Sequence, residues 1–194
     1  MGSFENLGLS QDMLNTLRLK GFEEPTPIQE KTIPVILTGK KDIVGQAQTG
    51  TGKTAAFSLP IIELIEGDTK NVKVLVLTPT RELAIQVAEE INSLKGKKRL
   101  NIVPIYGGQS IELQLRSLHK GVDIVVGTPG RILDHIRRRT LKLDKISYLV
   151  LDEADEMLNM GFLEDVRDIM ENTNKNKRTM LFSATMPDEI MQIA

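Results

Sequence analysis

No cysteine occurs among the 194 residues, which excludes a disulfide framework and is compatible with a reducing setting. Neither sign of charge is in excess: 25 Lys and Arg stand against 26 Asp and Glu, for a net charge of -1. That balance excludes a global basic footprint, so any contact with nucleic acid has to be local. No apolar run is long enough to span a bilayer, and no signal-peptide-like start is present; the expectation is a cytoplasmic chain without membrane contact. The two histidines, His119 and His135, lack a second histidine or cysteine at ligand spacing, so no zinc-type site is indicated. Repeats, low-complexity tracts and long linkers are missing too, and the length fits one large domain with a substantial core. Met1-Gly2-Ser3 reads as an unstructured start; Asn6 stands where a myristoylation site would want Ser or Thr.

What is present is alternation. Apolar, β-branched runs at 42–44, 72–77, 102–106, 124–126, 148–151 and 179–182 suit strands buried on both faces of a parallel sheet. Helical stripes lie between them, one formed by Leu83, Ala84, Val87, Ile91 and Leu94, another by Phe162, Val166, Ile169 and Met170. Segments 66–71 and 96–99 read as surface turns. The pattern predicts an α/β fold: a mainly parallel β-sheet with helices on both faces and right-handed crossovers. In such sheets ligands gather at the carboxyl ends of the strands, where free N–H groups of helix N-termini favour phosphates. Nearly every unusual cluster of this sequence falls at such a junction.

Two clusters point to nucleotide chemistry. Asp152-Glu153-Ala154-Asp155 follows the apolar run 148–151, and carboxylates at the end of a buried strand are costly without a compensating cation or hydrogen bonds. A hard divalent ion such as Mg²⁺, held by carboxylate, hydroxyl and phosphate oxygens, is the natural compensator. The second cluster is Ala47-Gln48-Thr49-Gly50-Thr51-Gly52-Lys53-Thr54, a phosphate loop with alanine in the first glycine position. Lys53 supplies a point charge for the β/γ-phosphates and Thr54 a hydroxyl for Mg²⁺. Asp152 would hold the metal, partly through water, and Glu153 would orient or deprotonate the attacking water. A ligand-free glycine turn and simple capping by acids at a helix start are the plain alternatives. For Asp155 capping or loop bridging stays open.

Thr26-Pro27-Ile28-Gln29 matches a capping box by local physics, with Thr at the N-cap, Pro first in the helix and Gln three residues after the cap. A functional reading makes the Gln29 amide a reader of adenine, as donor and acceptor at once, with Phe22 packed on the base. The two readings are compatible. Arg137-Arg138-Arg139 reads as solvated cations at a helix end, and Met157, Met160 and Phe162 as packing residues.

These clusters in this order resemble the DEAD-box RNA helicases over essentially the whole chain. Gly21-Phe22-Glu23-Glu24-Pro25-Thr26-Pro27-Ile28-Gln29 is similar to that family's Q motif, with Phe4 as its upstream aromatic. The phosphate loop, Pro79-Thr80-Arg81-Glu82-Leu83-Ala84, Gly107-Gly108, Thr128-Pro129-Gly130-Arg131, the acidic tetrad and Ser183-Ala184-Thr185 continue the likeness. The resemblance implies one amino-terminal RecA-like P-loop domain over 1–194, with a Q-motif segment at 1–38 wrapping the adenine and the core at 39–194. It implies ATP and Mg²⁺ as cofactors, bound by Phe22, Thr26, Gln29, Gln48, Thr49, Gly50, Thr51, Gly52, Lys53 and Thr54. Pro79, Thr80, Arg81, Gly107, Gly108, Thr128, Pro129, Gly130 and Arg131 would grip an RNA sugar-phosphate backbone without reading its sequence. Asp155, Ser183 and Thr185 would couple hydrolysis to strand separation. A C-terminal RecA-like domain of the same protein, not found in these residues, would complete the ATP site, leaving the isolated domain a nearly inactive monomer. An ATP-gated RNA clamp and a DNA motor stand as the other readings.

Overall fold

Five parallel pairings assemble one six-stranded sheet in a computed structural model that describes residues 2–68 and 70–194. The strands are β1 (Ile43–Gln46), β2 (Val74–Leu77), β3 (Ile102–Ile105), β4 (Ile124–Gly127), β5 (Tyr148–Leu151) and β6 (Arg178–Ser183). Their spatial order is β1-β6-β5-β2-β4-β3. All six apolar runs become strands. The run at 72–77 forms its strand from Val74, with Lys73 N and Val74 N both donating to the Asp123 carbonyl just before β4. Alternate residues divide between two cores. Val74, Val76, Ile124, Val126, Val150, Met180 and Phe182 face one side. Leu75, Leu77, Val125, Leu149, Leu151 and Leu181 face the other. Both faces are apolar, which is why these strands carry no polar alternation.

Helices cover both faces. The first is packed by α1 (Gln11–Leu19), α2 (Pro27–Thr38), α3 (Lys53–Leu64) and α4 (Arg81–Leu94). The second is packed by α5 (Ile111–His119), α6 (Pro129–Arg137), α7 (Ala154–Asn159), α8 (Leu163–Glu171) and α9 (Asp188–Ile193). The stripe on α4 buries Ala84, Val87, Ile91 and Leu94 as its spacing predicts, while Leu83 is half-exposed at the edge. Met157 and Phe162 pack into the second core, but Met160 is 48% exposed and takes no part in it. Arg137, Arg138 and Arg139 are exposed at the end of α6, where Arg138 pairs with Asp134 at 2.9 Å.

Order begins earlier than the sequence suggests. Met1 lies outside the described residues, as does Thr69 of the 66–71 turn. Ser3, however, caps a short 3-10 turn (Phe4–Asn6) by accepting from Glu5 N, and Phe4 is buried behind it. Helix α2 is fixed at its far end by a buried arginine from β6. Arg178 donates to the carbonyls of Lys41 (2.5 Å), just beyond α2, and of Ile36 (2.7 Å) and Val35 (3.0 Å) in its last turn, where Val35 also accepts from Gly39 N. Strand order and this clamp together set α2 beside the loop that follows β1.

Candidate active site

Sheet order divides the carboxyl edge in two. Adjacent strands β1, β6 and β5 end in the phosphate loop, Ser183-Ala184-Thr185 and the acidic tetrad. Adjacent strands β2, β4 and β3 end in 78–81, 128–131 and 107–109.

In the first half, Gly50 and Gly52 adopt left-handed φ values of 81° and 82°, and α3 starts at Lys53. A side chain at Gly52 is excluded twice over, since an added Cβ would stand 2.4 Å from Gln29 Nε2. Thr51 Oγ1 donates to the Gln48 carbonyl at 2.6 Å and closes the loop. Gln29, 2% exposed, bridges the loop to its own helix start: Oε1 accepts from Thr26 N at 2.9 Å, and Nε2 donates to the Gly52 carbonyl at 3.2 Å. The expected capping box is present, with the Thr26 side chain over the Gln29 backbone N–H and the Gln29 side chain over Thr26 N, although the buried Thr26 Oγ1 makes no close hydrogen bond and also faces Gly52. An amide offers two donors and two acceptor positions, so Gln29 keeps one of each free. Phe22 meets Phe4 edge-on at 6.1 Å and is half-buried.

The carboxylates converge on this loop. Lys53 Nζ pairs with Glu153 Oε1 at 3.0 Å, with side chains only 5% and 9% exposed, and Thr49 Oγ1 donates to the same oxygen at 3.4 Å. Glu153 is a non-glycine residue in the left-handed region (φ 54°, ψ 48°), a conformation costing roughly 1–2 kcal/mol. That strain sits at the β5–α7 junction and accompanies the pairing with Lys53. Asp152 N donates to the Leu77 carbonyl, while Asp152 Oδ1 is buried with no partner. Burial pushes the Asp152 carboxyl up to about 6, against the downward pull of Lys53 and with a further push from Glu153. An orphaned buried carboxylate oxygen, with the Thr54 hydroxyl opening α3, fits the all-oxygen donor set of Mg²⁺.

Asp155 differs. Its Oδ2 accepts from Thr185 Oγ1 (3.0 Å) and Thr185 N (3.2 Å), Oδ1 accepts from Glu156 N (3.0 Å), and its own N–H donates to Ser183 Oγ (3.0 Å). Burial works to raise this carboxyl, but hydrogen bonds from Ser183 and Thr185 outweigh it and hold it below the ordinary range. Asp155 thus bridges the β5–α7 junction to the loop after β6 and satisfies the Glu156 N–H in the first turn of α7, whose N-cap is Glu153.

The second half presents cations and helix starts. Thr80 Oγ1 accepts from Leu83 N at 3.2 Å and caps α4, and the exposed Arg81 guanidinium lies 5.2 Å from the Tyr106 ring centroid. Pro79 is buried and shapes the turn. Gly107, Gly108 and Gly130 are exposed; Gly108 has φ 85° and lies against Arg81. Thr128 and Pro129 open α6, whose Arg131 donates to the Gln109 carbonyl (3.0 Å) and Gln114 Oε1 (3.1 Å). Gln114 and His135, buried here between α5 and α6, carry no local signal in the sequence: each is a lone polar residue on a helix. Arg178 is equally silent on its strand.

The profile of the DEAD/DEAH box helicase family matches residues 26–193. The chain is 57% identical over 192 residues to a probable ATP-dependent RNA helicase of Methanocaldococcus jannaschii, covering 99% of this chain and 52% of that protein. It is 56% identical over 194 residues to the DEAD-box ATP-dependent RNA helicase CshA of Geobacillus kaustophilus, covering 100% of this chain and 41% of that protein. A crystal structure of a DEAD box protein from the hyperthermophile Methanococcus jannaschii superposes with a TM-score of 0.95 at 56% identity, over 100% of this chain and 53% of the other. The chain therefore spans about half or less of the relatives it matches, and its parallel sheet is the RecA-like sheet of such proteins. It belongs to the DEAD/DEAH box helicase family.

Proposed function

We propose that this chain is the ATP- and RNA-binding half of an ATP-dependent RNA helicase, a nucleoside triphosphate hydrolase. The observation that carries the proposal is the unpartnered, buried Asp152 Oδ1 beside the Lys53–Glu153 pair under a left-handed glycine loop. Lys53 would exchange Glu153 for the β/γ-phosphates, freeing the Glu153 carboxylate to orient or deprotonate the attacking water. Asp152 and Thr54 would hold Mg²⁺, which supplies neutralisation of phosphate charge when bound. The free donor and acceptor of Gln29 would read the adenine edge, with Phe22 against the base and Thr26 Oγ1 at the loop. Gln48, Thr49, Gly50, Thr51 and Gly52 would wrap the phosphates with backbone N–H groups.

On the other half, Pro79, Thr80, Arg81, Gly107, Gly108, Thr128, Pro129, Gly130 and Arg131 would hold an RNA backbone by charge, hydroxyls and helix N-termini, independent of base sequence. Asp155, tied to Ser183 and Thr185, would transmit the state of the nucleotide site along β5 and β6. A C-terminal RecA-like domain would supply an arginine, a group worth about 10³–10⁵ in rate at comparable sites. Alone, this cytoplasmic chain would be a monomer that binds ATP and barely hydrolyses it. The test is steady-state ATP turnover of the 194-residue chain with and without single-stranded RNA, alongside the full-length protein. Near-zero turnover of the chain, and loss of turnover with retained ATP and RNA binding in full-length Glu153→Gln, are expected. Strong RNA-stimulated turnover by the chain alone, or near-normal turnover of Glu153→Gln, would overturn the assignment.

A further inference from the structure

Gln114 is 1% exposed and spends its whole hydrogen-bonding capacity inside the protein. Its Nε2 donates to the Tyr106 carbonyl at 2.8 Å and to Gln109 Oε1 at 3.0 Å. Its Oε1 meets Arg131 Nη1 at 3.1 Å and His135 Nε2 at 2.8 Å. Two donors and two acceptor positions are all that a primary amide has. Orientation is forced as well: a backbone carbonyl can only accept, so the amide nitrogen must face Tyr106 and the amide oxygen must face Arg131 and His135.

A second constraint follows from the first. His135 is fully buried, and burial, aided by the nearby Arg131 charge, holds its pKa below the ordinary histidine range, so the ring is neutral. A neutral imidazole carries one N–H. Facing the Gln114 oxygen, Nε2 must hold that proton, leaving Nδ1 to accept from Thr140 Oγ1 at 2.8 Å, a hydroxyl whose proton is shared with the His135 carbonyl at 3.1 Å. The chain Thr140–His135–Gln114 thereby has a single polarity, ending at Arg131.

This hub lies under the three segments assigned above to RNA backbone. It holds the end of β3 through Tyr106, whose ring carries Arg81; the loop after Gly107-Gly108 through Gln109; and α6 through Arg131. We propose that Gln114 and His135 are positioning residues that fix the Arg131 guanidinium and the Gly107–Gln109 loop for one run of phosphates. The proposal rests on the RNA-backbone reading of that surface. Neither residue need touch RNA; each acts through Arg131, whose second anchor is the Gln109 carbonyl.

The experiment titrates the 194-residue chain with a ten-nucleotide single-stranded oligouridylate, following amide shifts of Gly107, Gly108 and Gly130, in a double-mutant cycle. Arg131→Ala is expected to weaken binding about tenfold, the scale of one charge-assisted hydrogen bond. Gln114→Met weakens it to a similar degree, with ADP affinity unchanged, and adds nothing to Arg131→Ala in the double variant. Imidazole ¹⁵N shifts of the parent chain show the proton on Nε2. Thr140→Val removes the hydroxyl beside Nδ1 while the Gln114 oxygen still holds the proton on Nε2; by loosening the ring it is expected to weaken binding about threefold, and it carries the test if Gln114→Met does not fold. Parent-like affinity of Gln114→Met, full additivity with Arg131→Ala, or the proton on Nδ1 would overturn the positioning role. Parent-like binding by Arg131→Ala would instead overturn the RNA-backbone reading, and the proposal with it.

Discussion

Replacing Lys53 by methionine keeps the length of the side chain and removes the one charge that compensates the acidic cluster. The Lys53–Glu153 contact is 3.0 Å between side chains that are nearly inaccessible. At an effective dielectric of about 20, two unit charges that close attract by roughly 5 kcal/mol. Much of that gain offsets desolvation when the pair forms, so the pair itself contributes little net stability. Removing one partner is different, because Glu153 stays buried and charged; such losses run to about 3–5 kcal/mol. Asp152 suffers too, since Lys53 is what draws its carboxyl downward. Urea unfolding of metal-free chain at pH 7.5 is the assay. Lys53→Met is expected to lose about 3 kcal/mol, and Lys53→Met with Glu153→Gln to regain most of it, since no charge is then stranded. A single variant within 0.5 kcal/mol of the parent, or a double variant no more stable than the single, would refute the reasoning.

Asp152 gives a pH-dependent companion. A carboxyl raised from 3.8 to about 6 binds its proton more readily in the folded chain, so its contribution to folding is present below pH 4 and lost as pH rises through 6. Asp152→Asn is thus expected to stabilise the metal-free chain by about 3 kcal/mol at pH 7.5 and by little at pH 4, as read by urea unfolding; equal gains at both pH values would count against it. Arg178→Met removes three hydrogen bonds and leaves the Ile36 and Lys41 carbonyls without this donor, while Val35 keeps Gly39 N, so a loss of about 2–3 kcal/mol is expected; a loss below 0.5 kcal/mol would mean that the clamp is dispensable.

Much of this was legible without coordinates, for definite reasons. Strands such as 148–151 and 124–126 are buried on both faces, so they appear as unbroken apolar runs. Lys53, Asp152 and Glu153 stand in short motifs whose chemistry is local. What the sequence could not express is adjacency across the sheet. Placing β6 between β1 and β5, and β2 beside β5, is what separates the half proposed to hold nucleotide from the half proposed to hold an RNA backbone. The Gln114–His135 hub and the Arg178 clamp consist of residues 21 and more positions apart that meet only through that order. The role of Glu153 is legible in its motif, but its left-handed backbone is not. Ser3 was misjudged for the opposite reason: local pattern suggested a loose start, and the burial of Phe4 behind a capped turn decided otherwise.

We propose that Gln29, the glycine loop and Lys53 form an adenine nucleotide site. Calorimetric titration of the chain with ADP and with GDP, each with Mg²⁺, tests it most directly. Guanine offers an acceptor where adenine offers a donor, which leaves the Gln29 amide mismatched at a cost of about 1–3 kcal/mol. ADP is expected to bind at least tenfold more tightly, a preference abolished by Gln29→Ala, and Lys53→Ala is expected to lose both nucleotides. Equal affinity for ADP and GDP, or no binding of either, would contradict it.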